Sequence, residues 1–139
     1  MKKRVTAIGG IFFKCDDPQA QREWYANHLG FKIDDYGATF EWRKSDAPDQ
    51  KGQTVWSTFK NDTDYFDPSK KGFMINYRVE NLVALLAELK KDGVAQIGEL
   101  QEYDYGKFAH ILDPEGNKIE LWEPIDEAFE KMVGDVVTK

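Results

Sequence analysis

The run Asp113-Pro114-Glu115-Gly116-Asn117-Lys118-Ile119-Glu120-Leu121 reads as a tight turn that opens into a strand. Pro114 presets a turn dihedral, Gly116 and Asn117 tolerate left-handed backbone, and the residues from Lys118 to Trp122 then alternate polar with apolar. The stretch before the turn, Lys107 to Leu112, alternates in the same way. A hairpin closed here pairs Leu112 with Lys118, His110 with Glu120 and Phe108 with Trp122. Directly opposed residues share a face of the sheet, with Cβ atoms about 4.5–5.5 Å apart. His110 and Glu120 then meet on one face between two aromatic residues, while Ala109, Ile111, Ile119 and Leu121 face the other way.

Working outward, this hairpin ends a unit that begins with a strand, Phe73 to Val79, and continues into a helix capped by Asn81. Leu82, Leu85, Leu86 and Leu89 lie on one face of that helix, Gly93 ends it, and a strand follows at Val94 to Ile97. The first half of the chain has the same order. A strand from Ala7 to Cys15 meets Asp17 as N-cap and Pro18 in the first turn of a helix, whose Trp24, Tyr25 and Leu29 form the face expected to be buried before Gly30 stops it. Strands are expected at Phe31 to Ile33, Ala38 to Trp42 and Thr54 to Phe59, with Ser45 to Gly52 as a polar loop. Superposed, Gly10 falls opposite Met74, Cys15 opposite Val79 and Gly30 opposite Gly93 within one residue, so the chain reads as an internal duplication of strand, helix and three strands.

The expected organisation is one domain over 1–139, with module one at about 5–60, module two at about 73–124 and an amphipathic tail helix at 125–139. The connector Asn61 to Gly72 carries Tyr65-Phe66, too apolar for a free tether, and is expected to dock on the body. A formal charge of -6 without a basic stripe argues against a nucleic-acid partner. No apolar run approaches the roughly 20 residues of a bilayer crossing, and the start Met1-Lys2-Lys3-Arg4 lacks a signal-peptide core. Cys15 is the single cysteine, which fits a reducing compartment, and the expected location is cytoplasmic, without membrane partners.

Two stretches carry a family resemblance: Ile8-Gly9-Gly10-Ile11-Phe12-Phe13-Lys14 through Trp24-Tyr25 to Leu29-Gly30-Phe31, and the Asp113 to Leu121 run. Both resemble the vicinal oxygen chelate superfamily, which includes glyoxalase I, fosfomycin-resistance proteins, extradiol dioxygenases and bleomycin-resistance proteins. The resemblance implies an α+β fold, two tandem βαβββ modules forming a cupped mixed sheet with helices outside, and a homodimer. Family enzymes commonly hold one divalent metal, and Glu120 matches the ligand on the last strand. The remaining ligand positions fall on Gly10, on Met74 and on Trp56 or Ser57, none of them a good hard-metal donor. A metal would therefore rest on Glu120 alone among the family positions; no cofactor is favoured, and a divalent metal stays possible.

Strand parity assigns the cup face. Gly10, Phe12 and Lys14 face inward in module one, as do Met74, Asn76, Arg78, Phe108, His110, Lys118, Glu120 and Trp122 in module two; Cys15 packs under the helix. The expected ligand-binding set is Phe12, Lys14, Asn76, Arg78, Tyr105, Phe108, Trp122 and Trp56, and Tyr103 with Tyr105 forms either a lip over the cup or simple loop packing. His110 and Glu120 form the acid/base or hydrogen-bonding centre, or alternatively a structural pair. Gly10 opposite Met74 is expected to leave floor space for a ligand. His28, on the helix face, reads as structural. The lining suits a small, partly aromatic or anionic molecule, bound for sequestration or sensing without a catalytic metal. The alternative is a metal-dependent glyoxalase-like lyase. For the homodimer, the aromatic connector and the tail are the surfaces expected to meet.

Overall fold

Alternation in both halves of the chain builds a single mixed sheet in the structure, a computed structural model that describes residues 4–139; Met1 to Lys3 of the N-terminal start lie outside the described residues. The elements run β1 (Val5–Cys15), α1 (Pro18–Leu29), β2 (Gly37–Lys44), β3 (Ala47–Lys60), β4 (Phe73–Val79), α2 (Leu82–Lys91), β5 (Gln96–Tyr103), β6 (Gly106–Leu112), β7 (Lys118–Pro124) and α3 (Asp126–Val133). Among the described residues seven strands lie in the order β2-β3-β1-β4-β7-β6-β5. β1 and β4 pair antiparallel at the centre, with Gly10 opposite Asn76 and Phe12 opposite Met74, and so join the modules within one chain. On either side the pairing is parallel, β1 with β3 and β4 with β7. The β6–β7 hairpin has the expected register, His110 opposite Glu120 and Phe108 opposite Trp122. Its turn is tied by Asp113, whose carboxylate accepts from the backbone of Glu115 and Asn117 and from the Asn117 side chain. Those bonds, the side-chain amide first, hold the Asp113 carboxyl below its ordinary range.

Both helix starts are capped as expected, Asp17 accepting from the Ala20 amide and Asn81 from that of Ala84, and Gly30 takes the left-handed stop at φ 73°. Their burial differs. Leu82 and Leu85 of α2 are buried against Val79, Ala109, Ile111 and Leu121, with Leu86 and Leu89 at the margin. No residue of α1 is buried; Trp24 is 52% exposed and Leu29 58%, contrary to the expected packed face. The physical reason lies beneath it. The Tyr25 ring stands on Trp56 at 4.6 Å and Arg22 donates to the Thr58 hydroxyl at 2.9 Å, so a large ring and a long polar side chain stand between the helix and the sheet.

Four other expectations change. Phe31 to Ile33 makes one bridge, Ile33 with Ala38, because the Phe31 ring is held edge-on by Phe40 and Trp56 while Asp34 collects the amides of Tyr36 and Gly37. Ser45 to Gly52 is mostly strand, since β2 and β3 form a long hairpin with Lys44 opposite Ala47. Pro48 is tolerated there because β1 pairs with β3 only from Val55 onward, which leaves that end of β3 an edge. The strand expected at Val94 to Ile97 becomes the longer β5, bulged between Ile97 and Gln101 with Gly98 at φ 73°. The tail helix ends before Gly134, and the chain then returns to the β2 edge, where Thr138 exchanges backbone hydrogen bonds with Thr39 and Glu41. Among the described residues no helix is long and apolar enough to cross a membrane.

Candidate functional site

Parallel pairing of β4 with β7 sets Asn76 beside Glu120, and the hairpin sets His110 on its other side. The Glu120 carboxylate accepts Asn76 Nδ2 on Oε1 at 2.7 Å and meets His110 Nε2 on Oε2 at 2.8 Å. The Tyr65 hydroxyl of the connector donates to the same Oε2. Lys118 Nζ donates to the Tyr65 carbonyl at 2.7 Å and so holds the connector down. Glu120 and Asn76 are each 2% exposed. Burial, then the Glu120 charge and hydrogen bond, pushes the Tyr65 phenol far above its ordinary value, and burial lowers the Lys118 ammonium against the pull of Glu120. Asn76 Oδ1 is buried without a partner. It lies over Gly9, where a Cβ would come within 2.2 Å of Oδ1 and 2.9 Å of Arg78 Cγ, so the missing side chain lets both residues lie on the sheet.

Toward the floor the cup is apolar. Phe12, Met74 and Phe66 form a buried cluster with Val55 and Phe59 beside it, and Phe66 is 0% exposed. Phe59 stacks on Tyr65 at 5.7 Å, and Lys14 Nζ lies 5.5 Å from the Phe66 ring. The space expected over Gly10 is taken by the chain itself, since a Cβ there would meet the Phe12 ring at 2.7 Å.

The other half is charged and aromatic, with Arg43, Lys44 and Arg78 sharing its groove with Asp46, Glu80, Glu123 and Asp126. Arg78 Nη2 donates to both Asp126 oxygens, at 2.8 and 2.9 Å, and Lys44 Nζ reaches Asp126 at 2.8 Å. The guanidinium lies 5.2 Å from the Trp42 ring and 5.5 Å from that of Trp122. Phe108 stacks on Trp122 at 5.6 Å, and Phe129 of α3 meets Trp122 edge-on at 5.2 Å. A groove of about 840 Å³ opens on Arg78, Lys44, Trp42 and Asp126. Tyr103 and Tyr105 stack at 5.4 Å and flank a second groove, about 630 Å³, with Lys131 and Met132 of α3 opposite. Burial, then Tyr103 and Glu120, raises the Tyr105 phenol.

Of the expected residues, the structure brings His110, Glu120 and Asn76 into one hydrogen-bonded knot, and Arg78, Trp122, Phe108 and Tyr105 into a neighbouring cluster. Phe12 and Lys14 lie in the floor, under the connector. Trp56 does not belong to the cup: it pairs with Ile11, on the helix side, and packs against Tyr25, Phe13 and Phe31. Sequence reasoning missed Tyr65, Lys44, Trp42 and Asp126. The apolar Tyr65-Phe66 pair in a polar connector was the readable sign of the first, whereas nothing local marks the other three.

The metal site of the family was tested against these donors. Both Glu120 oxygens are occupied by the chain's own donors, Gly10 and Met74 supply no hard ligand, and Ser57 offers only a hydroxyl. Among the described residues no three His, Cys, Asp or Glu side chains converge. The residues present do not fit the family's metal.

A cupped mixed sheet built from two related modules defines the class of this protein. The family model of the Glyoxalase/Bleomycin resistance protein/Dioxygenase superfamily matches residues 7–121, and the chain belongs to that superfamily. No curated protein sequence matches. Among solved structures, the Streptomyces coelicolor methylmalonyl-CoA epimerase in complex with 2-nitronate-propionyl-CoA is similar at TM-score 0.64 and 18% identity, covering 87% of this chain and 99% of that one. The Mycobacterium tuberculosis methylmalonyl-CoA epimerase gives TM-score 0.56 and 22% identity over 89% and 91%. The Mn(II)-bound glyoxalase of Novosphingobium aromaticivorans gives TM-score 0.56 and 18% identity, with 88% of this chain aligned to 40% of that one. At these identities the likeness shows the fold.

Proposed function

We propose that this chain binds a small, partly aromatic or anionic molecule in the cup, to sequester or sense it, and that it does so without a catalytic metal. The single observation that carries this reading is the state of Glu120: the one acidic side chain at a family ligand position is closed off by Tyr65, His110 and Asn76. Binding then draws on the rings of Phe108, Trp122 and Tyr105 and on the Arg78 charge, with the hydrogen-bonded His110–Glu120 pair as the polar centre behind them. The modules at about 5–60 and 73–124 and the tail act in this reading as one domain of 1–139. It works in the cytoplasm, where Cys15 stays a free thiol.

The competing reading is a metal-dependent glyoxalase-like lyase, suggested by the Mn(II)-bound glyoxalase among the structural neighbours. Calorimetric titration with Ni, Zn, Mn and Fe(II) separates the two. Stoichiometric, tight binding that is lost in Glu120→Gln overturns the metal-free reading; heat no larger than that of Glu120→Gln supports it. Binding of any ligand found is then compared across the neutral pH range in wild type, His110→Phe and Glu120→Gln. Unchanged binding in both variants assigns the pair to structure alone.

We also propose a homodimer; Phe66 and Phe129 are buried within the chain, while Tyr65 of the connector and Ile125, Met132 and Val136 of the tail stay exposed and can meet a second copy. The helices flank the sheet and leave Ile8, Ile11 and Phe73 exposed on the central strands, where Ile11 lies opposite Ile75 and Phe13 opposite Phe73. This strip repeats across the β1–β4 pair and suits a two-fold contact with a second copy.

A further inference from the structure

The charged half of the cup, where Asp46, Glu80 and Glu123 also line the groove, holds an ion triad with one member from outside the sheet. Arg78 comes from β4, Lys44 and Trp42 from β2, and Trp122 from β7, whereas Asp126 opens α3. In the complete chain Arg78 is 3% exposed, its guanidinium between two indoles with an ammonium nearby and the Gln53 carbonyl accepting Nη1 at 3.4 Å, and Asp126 is the carboxylate that meets it. The Gln53 side chain is itself fully buried, and neither its nitrogen nor its oxygen has a partner. A desolvated guanidinium requires an anion, and here the tail supplies it.

The tail supplies a ring as well. Phe129 follows Asp126 by three residues, so one helical turn presents a carboxylate to the cations and a phenyl edge to Trp122. Residues so spaced have Cβ atoms about 5–6 Å apart. Together they have the outline of an aromatic acid. At the start of α3 no side chain caps the helix, and the Ile125 amide donates instead to the Tyr105 carbonyl at 3.1 Å.

We propose that Arg78, Lys44, Trp42 and Trp122 form the anion subsite of the cup, that Asp126 and Phe129 occupy it as an internal stand-in, and that the ligand is an aromatic carboxylate. Its acid replaces Asp126 on Arg78 and Lys44, and its ring replaces Phe129 on Trp122. The inference rests on the small-molecule reading above and narrows it to a ligand class. The tethered tail competes at high effective concentration, so affinity in the intact chain is reduced by the fraction of molecules with the tail in place.

The test uses the full chain and 3-phenylpropionate, followed by calorimetry and by the indole N–H resonances of Trp42 and Trp122. Asp126→Asn combined with Phe129→Ala is expected to tighten binding about tenfold or more over wild type, with both indole signals moving. Adding Lys44→Met to that background weakens it again severalfold. The neutral 3-phenylpropanol gains nothing from the double substitution, and inorganic phosphate, lacking a ring, gains less than the aromatic acid. A measurement on wild type needs no variant to fold: saturating 3-phenylpropionate speeds hydrogen exchange of the α3 amides. Equal affinity in wild type and double variant, equal gains for acid, alcohol and phosphate, or unchanged α3 exchange at saturation each overturns the proposal. Should 3-phenylpropionate move His110 and Tyr65 resonances while the two indoles stay still, the small-molecule reading stands and the tail inference falls. If no cup resonance moves in any variant, both fall.

Discussion

The connector and the tail both enter the cup, yet they are held by different physics. Phe66 is driven into a fully apolar cluster with Phe12 and Met74, and Tyr65 beside it joins a buried hydrogen-bond knot. Phe129 of α3 also packs on an aromatic, but the other anchor of that helix is the Asp126 carboxylate, whose side chain is 20% exposed, on two cations beside an open groove, while beyond the helix Val137 is buried and Thr138 bonds to the β2 backbone. Apolar burial has no small competitor in water, whereas a partly exposed ion pair can exchange partners with any suitable anion. One insert is therefore part of the core and the other is replaceable.

The largest expected effect separates them directly. Phe66→Ala removes a fully buried ring and is expected to cost about 3–5 kcal/mol in denaturant unfolding. Phe129 is 7% exposed, and Phe129→Ala is expected to cost less than Phe66→Ala because it can lose no more than the free energy that docks α3. Equal losses would make the tail core, and the distinction between the two inserts would fail.

Glu120→Gln comes next. Three donors lose a charged acceptor inside a buried knot, for an expected loss of about 1.5–3 kcal/mol, read from the shift of the unfolding midpoint. A loss confined to the tail, seen as faster exchange in α3 alone, would mean that the knot does not hold the connector.

Tyr65→Phe sharpens the same point, with an expected loss near neutrality of about 1–2 kcal/mol and a signature in alkali. The folded phenol keeps its proton where an unfolded tyrosine, at about 10.0, has lost it, so the folded state binds more protons and stability falls as pH rises above that value. Lys118 acts in the opposite sense. Its folded pKa lies below 10.5, so the unfolded state binds more protons in the interval just under that value, and stability gains with pH there. The alkaline fall in stability should be shallower in Tyr65→Phe than in wild type, measured as Tm against pH.

The smallest effect is placed away from both inserts, at the β6–β7 turn. The Asp113 carboxyl lies below its ordinary 3.8, so its contribution is present above that pH and lost as pH falls through the folded value. Asp113→Ala should lower Tm slightly at neutral pH and make the acid-side decline shallower. An equal decline in both proteins would place the acid sensitivity elsewhere.

What the sequence determined by itself is local and periodic. The caps Asp17 and Asn81, the stop at Gly30, the Leu face of α2 and the register that sets His110 against Glu120 all follow from short-range rules of backbone chemistry and parity. Ring size and pairing across the sheet decided the rest. Trp56 lies under α1 because it shares a face with Ile11, and it leaves that helix propped on Tyr25 with Trp24 in water. The triad of Arg78, Lys44 and Asp126 joins residues 34 and 48 positions apart in the chain. Strand parity marks Arg78, but no local signal marks Lys44 or Asp126, because what brings them together is a buried charge that exists only in the assembled sheet.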